Sequence, residues 1–451
     1  MHGATPHDEP MRIGLGPLLR LAGPVVLSRL GIMGMGLVDT IVVGRYSATE
    51  LGYNALGWAP TAVVLTTSIG LLSGVQVLTS QAIGEGRASA TGAILRYGAL
   101  YALLIGLAAC VILAGLGGPL LEALGMQPGL AKGATPVLQL FAVSLIPILI
   151  ADVGVFWLEA HGRPLPATLA LWVTNAINLA LNLWLVPGTS GLPVAGAVAS
   201  AWSTLISRLA LLALIWGLIA AWPAAREMGV FRKAPRDTAM TAELRRIGYG
   251  AAGSYFIESL AFSAMAVIAG WIGAVAVASW AIVINLAALV FMVPLGLATA
   301  TSVLVGRAYG ARDPAGVAHA GRIGFAATTV VMLAISAAIA IGNEWIAAAY
   351  TRDVAVQMVT AAALLLACLF FAADGLQVVA AQACRAQSDV WMPMTTHLAS
   401  YTVVMMPLGY LLAIPMGLAV DGIVWAIVAA SLLSAVLLWG RFVMLVRRLP
   451  G

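Results

Sequence analysis

Charge is what this sequence has least of. Only 9% of its 451 residues are Asp, Glu, Lys or Arg, and 61% are hydrophobic. Soluble domains carry about a quarter charged residues, so an ordinary soluble fold is excluded. Membrane-spanning helices, at about 20 apolar residues each, account for such a composition. Cysteine is equally scarce. Cys110, Cys368 and Cys384 lie in or beside apolar segments, which makes them small packing residues and no disulfide framework. No Gly-rich phosphate loop with Lys occurs, so ATP is not the direct energy source. A zinc-protease helix motif, a Cys/His cluster and an aspartate-rich pyrophosphate motif are also missing. The chain is therefore expected to be no enzyme and to need no cofactor beyond a coupling ion. The first ten residues, MHGATPHDEP, lack the basic-then-apolar order of a signal peptide. A net charge of +5 does not point to nucleic acid here, because basic residues in a membrane protein first of all mark orientation.

What the chain does have is twelve long apolar runs. They predict helices at approximately 18–44, 52–82, 90–115, 132–158, 165–187, 194–222, 243–271, 279–307, 316–342, 357–384, 392–414 and 422–448. GEGRAS, GMQPG, HGRP, VPGTSG, GARDP and AIPMG punctuate them. The longest polar stretch, 223–246, divides the runs into two sets of six. With the N-terminus placed in the cytoplasm, the inner segments hold 18 of the 23 basic residues. The outer segments hold three, Arg45, Lys132 and Arg352, and Arg29 and Arg208 fall inside spans. That bias predicts cytoplasmic N- and C-termini.

The halves also repeat. At an offset of 226 residues, QAIGEG meets RAYGAR, RYG meets RIG, and GLPVAGAV meets GLAVDGIV. Six spans per half give both halves the same polarity, hence a parallel repeat about an axis along the membrane normal. The predicted fold is an all-α integral membrane protein of twelve transmembrane helices in two pseudo-two-fold-related six-helix bundles. Residues 1–17 form a cytoplasmic N-terminal segment, 18–222 an N-lobe, 223–242 a cytoplasmic inter-lobe loop and 243–448 a C-lobe. The cleft between the lobes is a natural place for a substrate.

A carboxylate at mid-bilayer costs about 2.5–3.5 kcal/mol on insertion scales, so each one requires a reason. Glu258 lies 12 residues from Arg246 and Asp374 lies 11 from Arg385, which gives both a depth of roughly 17–18 Å from the inner face. They belong to the same half and can share one site. An isolated pair of this kind suits a proton or a monovalent cation alike. Asp39 lies nearer the outer end of the first span, with Arg45 six residues away as a competing partner. Asp152 and Arg208 are expected to form a buried structural pair. Glu85, Arg87, Arg307, Asp313 and Arg385 are expected to pair or to reach for water at membrane ends. Asn175, Asn178 and Asn182 share one helix face and either bond between helices or line the first-half cavity. Pro24, Pro147, Pro294 and Pro407 interrupt apolar helices and kink them.

MGLVDTIVVGRYSATELG, the long run from ESLAFSAMAV to VGRAYGA, and DGLQVVAAQACRAQSDVWMP resemble the multidrug and toxic compound extrusion (MATE) family, in its NorM-like branch. The resemblance covers all twelve spans. It implies two six-helix lobes about a central cavity, and export of organic cations and amphipathic drugs in exchange for sodium ions or protons. It implies a coupling-cation site at Glu258 and Asp374, with Asp39 as the matching acidic residue of the first span. Glu258 and Asp374 are then also the metal ligands if the ion is sodium. Asn175, Asn178, Asn182, Asn285 and Gln377 are the substrate-cavity candidates. The expected partners are small-molecule drugs and the lipid bilayer, for a functional monomer in the inner membrane of a bacterium, with no nucleic acid. Two departures stand out: Asn182 replaces the aspartate usual in the DinF-like branch, and Trp280-Ala281 replace a His-Gln pair common among relatives. The alternative is a lipid-linked precursor flippase of related architecture, which needs basic residues for a pyrophosphate.

Overall fold

The computed structural model describes residues 13–123, 128–232 and 237–449. Residues 1–12 of the predicted N-terminal segment and 233–236 of the inter-lobe loop lie outside them. Regular secondary structure among the described residues is helical throughout. The first half comprises α1 (Leu15–Tyr46), α2 (Ala48–Leu72), α3 (Gly74–Gly84), α4 (Thr91–Ala123), α5 (Pro128–Ala160), α6 (Pro164–Leu185) and α7 (Gly196–Ala221). A short helix, α8 (Pro223–Glu227), leads into the second half. There follow α9 (Thr238–Ile272), α10 (Ala274–Gly310), α11 (Pro314–Tyr350), α12 (Val354–Arg385), α13 (Trp391–His397), α14 (Met406–Ala413) and α15 (Ala419–Arg448).

Among the described residues, eleven helical stretches have the length and apolarity to cross a bilayer. The second predicted span divides at Ser73 into α2 and α3. The predicted span 392–414 is helical but irregular: α13 and α14 flank a π-helical segment, Leu398–Met405. Pro407, in the first turn of α14, explains this. It cannot donate to the carbonyl four residues back, and its ring crowds that carbonyl, so a widened π-turn relieves the clash.

Helix starts are set by local chemistry. Asp313 accepts from Gly316 N at 2.9 Å, with Pro314 as the first residue of α11. Asp353 accepts from Ala355 N at 2.9 Å to start α12, and Asp237 from Met240 N at 3.0 Å to start α9. Each carboxylate satisfies backbone donors that a helix N-terminus leaves free.

Packing follows the internal repeat. In the first half α5 is central, against α2, α4 and α7; in the second, α12 takes the same part against α10, α11 and α15. The halves meet where α1 crosses α10, its counterpart α9 crosses α2, and α3 crosses α10. Backbones touch at this seam because glycines leave room, as is common between membrane helices. A methyl group added at Gly84 would fall on the Arg307 carbonyl, and one at Gly310 on the Gln81 carbonyl. Gly248 and Gly74 meet Leu71 and Leu244 in the same manner. Polar bonds reinforce the seam. Gln81 donates to Ala386 O at 2.9 Å, and Arg307 to Ala160 O. Leu18 near the start of α1 and Phe442 near the end of α15 share a core cluster, so these two helix ends lie at one end of the described structure.

Candidate functional site

The second half brings two carboxylates together. Asp374 sits in the middle of α12 and is 6% exposed. Its Oδ1 accepts from Gln377 Nε2 at 3.2 Å, one turn along the same helix, and from the Tyr401 hydroxyl at 3.3 Å. Tyr401 comes from the π-helical segment, so the irregular span delivers a donor to the site. Glu258, on α9, is partly exposed and makes no hydrogen bond or ion pair among the described residues. It lies within electrostatic range of Asp374.

Basic groups stand near this pair without neutralising it. Arg385, expected to reach for water, is instead 1% exposed and bonds to neither carboxylate. Its guanidinium lies 5.4 Å from the centre of the Tyr255 ring, a cation–π contact that replaces hydration in part. His397 is buried and packs edge-on against Tyr401 at 5.5 Å. The arrangement is two acids, one tyrosine hydroxyl and one carboxamide, with no bonded counter-ion. Chemically, it can accept a proton or a single small cation.

The first half builds a different site around Asp39, which is 5% exposed. Asn182 Nδ2 donates to its Oδ1 at 2.8 Å, and Thr204 Oγ1 to its Oδ2 at 2.7 Å. Arg45, the expected competitor, is exposed at the end of α1. Asn175 Nδ2 bonds to Gly31 O at 2.8 Å and ties α6 to α1. Asn178 and Asn182 are fully buried, as is Gln377, so these three face into their own half and line no open cavity. Asn285 is exposed and accepts from the Tyr350 hydroxyl at 2.9 Å.

Asp152 and Arg208 do not form the direct pair that their depth suggested. Arg208 donates to Ser144 Oγ at 2.7 Å and lies 5.7 Å from the Trp58 ring. Arg29 finds its partner in Glu159, at 3.4 Å, and Gln76 Nε2 reaches the same carboxylate at 2.9 Å. Glu85 and Arg87 pair with each other, as expected of membrane-end charges. Sequence reasoning missed Glu159, Gln76, Thr204 and Tyr401. Glu159 alone carried a visible signal, a charge two residues before His161 at the end of an apolar run.

Comparison with known proteins gives one consistent result. The MatE family model matches residues 24–184 and again 251–411, nearly the offset at which the halves repeat. The chain is 50% identical over 436 residues to "Probable multidrug resistance protein NorM" of Caulobacter vibrioides, covering 97% of this chain and 93% of that one. It is 30% identical to "Multidrug resistance protein PmpM" of Pseudomonas aeruginosa, over 90% and 85% of the two chains. Among solved structures, the outward-facing conformation of a multidrug resistance MATE family transporter superposes with a TM-score of 0.88 at 18% identity, over 98% and 100% of the two chains. A MATE protein in the bent conformation gives a TM-score of 0.87 at 18% identity, over 96% and 95%. At that identity the structures speak for the fold alone.

Proposed function

The chain belongs to the MatE family, whose members are membrane transporters and not enzymes, and from that premise we propose that it is a cation-coupled secondary antiporter exporting organic cations and amphipathic drugs. The coupling ion is sodium or the proton, taken up at Glu258 and Asp374, with Asp39 as the acidic site of the first half. The protein works as a monomer in a bacterial cytoplasmic membrane, with both termini inside. One observation supports the reading above the rest: Glu258 and Asp374 lie within electrostatic range of each other in a membrane-spanning bundle, without a bonded counter-ion among the described residues. Two such acids cannot both stay ionised there at low cost, so the site draws a cation. Occupancy then biases the two halves toward one facing state by its differential affinity, and drug binding drives the return.

The flippase alternative has less support. The intramembrane arginines it would need, Arg29 and Arg208, are engaged by Glu159 and Ser144. The test is ethidium efflux from vesicles reconstituted with the full chain, under an imposed sodium gradient and then a proton gradient. Wild-type efflux should follow one of the gradients, and Glu258→Gln and Asp374→Asn should each abolish it. No efflux under either gradient overturns the antiport reading. Normal efflux in Asp374→Asn overturns the site.

A further inference from the structure

Five buried charges of the first half form a string. Thr204, which bonds Asp39, lies one turn before Arg208 on α7, and Asp39 and Asp152 both act electrostatically on Arg208; Arg29 and Arg208 attract Asp152, and Glu159 repels it. Arg29 and Asp152 line one small cavity between α1, α5, α6 and α7. Arg29 in turn bonds to Glu159. The order Asp39, Arg208, Asp152, Arg29, Glu159 alternates in sign, and each member is more than nine-tenths buried. Three acids face two bases, so one negative charge is left over. Asp39 stands at the end of the string away from the Arg29–Glu159 ion pair, and its bonded partners, Asn182 and Thr204, are neutral.

The other end of the string touches the seam. Glu159 also accepts from Gln76 of α3, the helix that crosses α10 between the halves. Its chain neighbour Ala160 accepts from Arg307 of the second half. We infer that this string sets the cation affinity of Asp39 and links it to closure of the seam, with Arg208, Asp152, Arg29 and Glu159 as positioning residues. The inference rests on the antiport reading proposed above.

The signs follow from charge alone. Removing the charge of Glu159 leaves Arg29 wholly to Asp152. Asp152 then restrains Arg208 less, Arg208 compensates Asp39 more, and Asp39 holds a cation less tightly. Removing the charge of Arg29 acts in the opposite sense. Removing both leaves Asp152 and Arg208 balanced much as before. Two charges merely paired for stability would show no such cancellation in cation affinity.

The experiment uses the full chain in vesicles, with Cys110, Cys368 and Cys384 changed to Ala and a reporter, Ser388→Cys, on the loop where Gln81 closes the seam. Maleimide labelling of the reporter is titrated with sodium and, separately, with protons. The quantity compared is the part of the response that Asp39→Asn removes. Glu159→Gln should raise the half-saturating cation concentration roughly two- to thirty-fold, the range expected of coupling through a packed network. Arg29→Gln should lower it by a similar factor, and the double variant should return close to wild type. Should a single variant fail to accumulate, Asp152→Asn carries the test, because it frees Arg208 in the same sense as Glu159→Gln and should also raise the concentration.

Single variants that shift the response in the same direction, or not at all, overturn the inference. So does an Asp39→Asn protein with the full wild-type response. A wild-type protein that responds to neither cation overturns the antiport reading itself, and the string with it.

Discussion

At the scale of single residues, the antiport reading proposed above makes the neutral donors around the two acidic sites set how strongly each would hold a cation. Tyr401 and Gln377 share Asp374 Oδ1, so either can turn away to leave that oxygen free for an ion. A hydrogen bond to a charged group contributes about 1.5–3 kcal/mol, or roughly one to two powers of ten in an equilibrium constant. Tyr401→Phe should therefore change the cation concentration for half-maximal ethidium efflux by about tenfold, while the efflux rate at saturating gradient changes less. An unchanged concentration dependence would remove Tyr401 from the site. Thr204→Val should act likewise on the Asp39 component. The acids themselves were legible because a charge in an apolar run stands out and its depth can be counted from the nearest arginine. Their partners were not. Serine, threonine and tyrosine are ordinary in membrane helices, and which of them meets Asp39 or Asp374 depends on helix crossings that no spacing reveals. Arg385 shows the limit from the other side: proximity to a span end suggested water, and only packing under Tyr255 shows that it is buried.

At the scale of elements, the seam and the irregular span carry the mechanics. Pro407 announced a kink, but the π-helical turns before it follow from how the chain accommodates the missing donor within a packed bundle, which the sequence pattern does not encode. The apolar runs were readable because length and hydropathy alone set them, whereas some ends were not: α4 reaches Ala123 and α11 reaches Tyr350, each eight residues past the predicted end. The glycine seam was half-readable: Gly84 and Gly310 appeared as repeat matches, without any sign that each sits on the other helix's backbone. That contact makes a firm prediction. A side chain at Gly310 has nowhere to go, since it meets the carbonyl of Gln81 and not a movable group. Gly310→Val should part α3 from α10 and raise maleimide labelling of Ser388→Cys several-fold in the absence of any ion. Labelling equal to that of the parent would show that the helices absorb the methyl groups without separating.

At the scale of the whole molecule, the contacts between halves gather in one region, and that region is also where the basic residues concentrate. Arg245 reaches Tyr97 at 2.8 Å, Gln81 reaches Ala386 O at 2.9 Å, and Arg307 reaches Ala160, all between segments counted as inner by the charge bias. Toward the far ends of α1 and α9, large apolar residues such as Leu37, Val267 and Trp271 are more than half exposed. If the basic end faces the cytoplasm, the seam is the inner gate and it is shut, so a drug would enter only after it opens. The orientation can be checked directly in cells. A cysteine at Ser190, in the loop between α6 and α7, should react with a membrane-impermeant maleimide added outside, because five spans separate that loop from the inner N-terminus. A cysteine at Arg232, between α8 and α9, should react only after the membrane is permeabilised. The reverse pattern would place the basic end outside. It would also make the closed seam an outer gate, and the structure would then be the inward-facing state of the cycle.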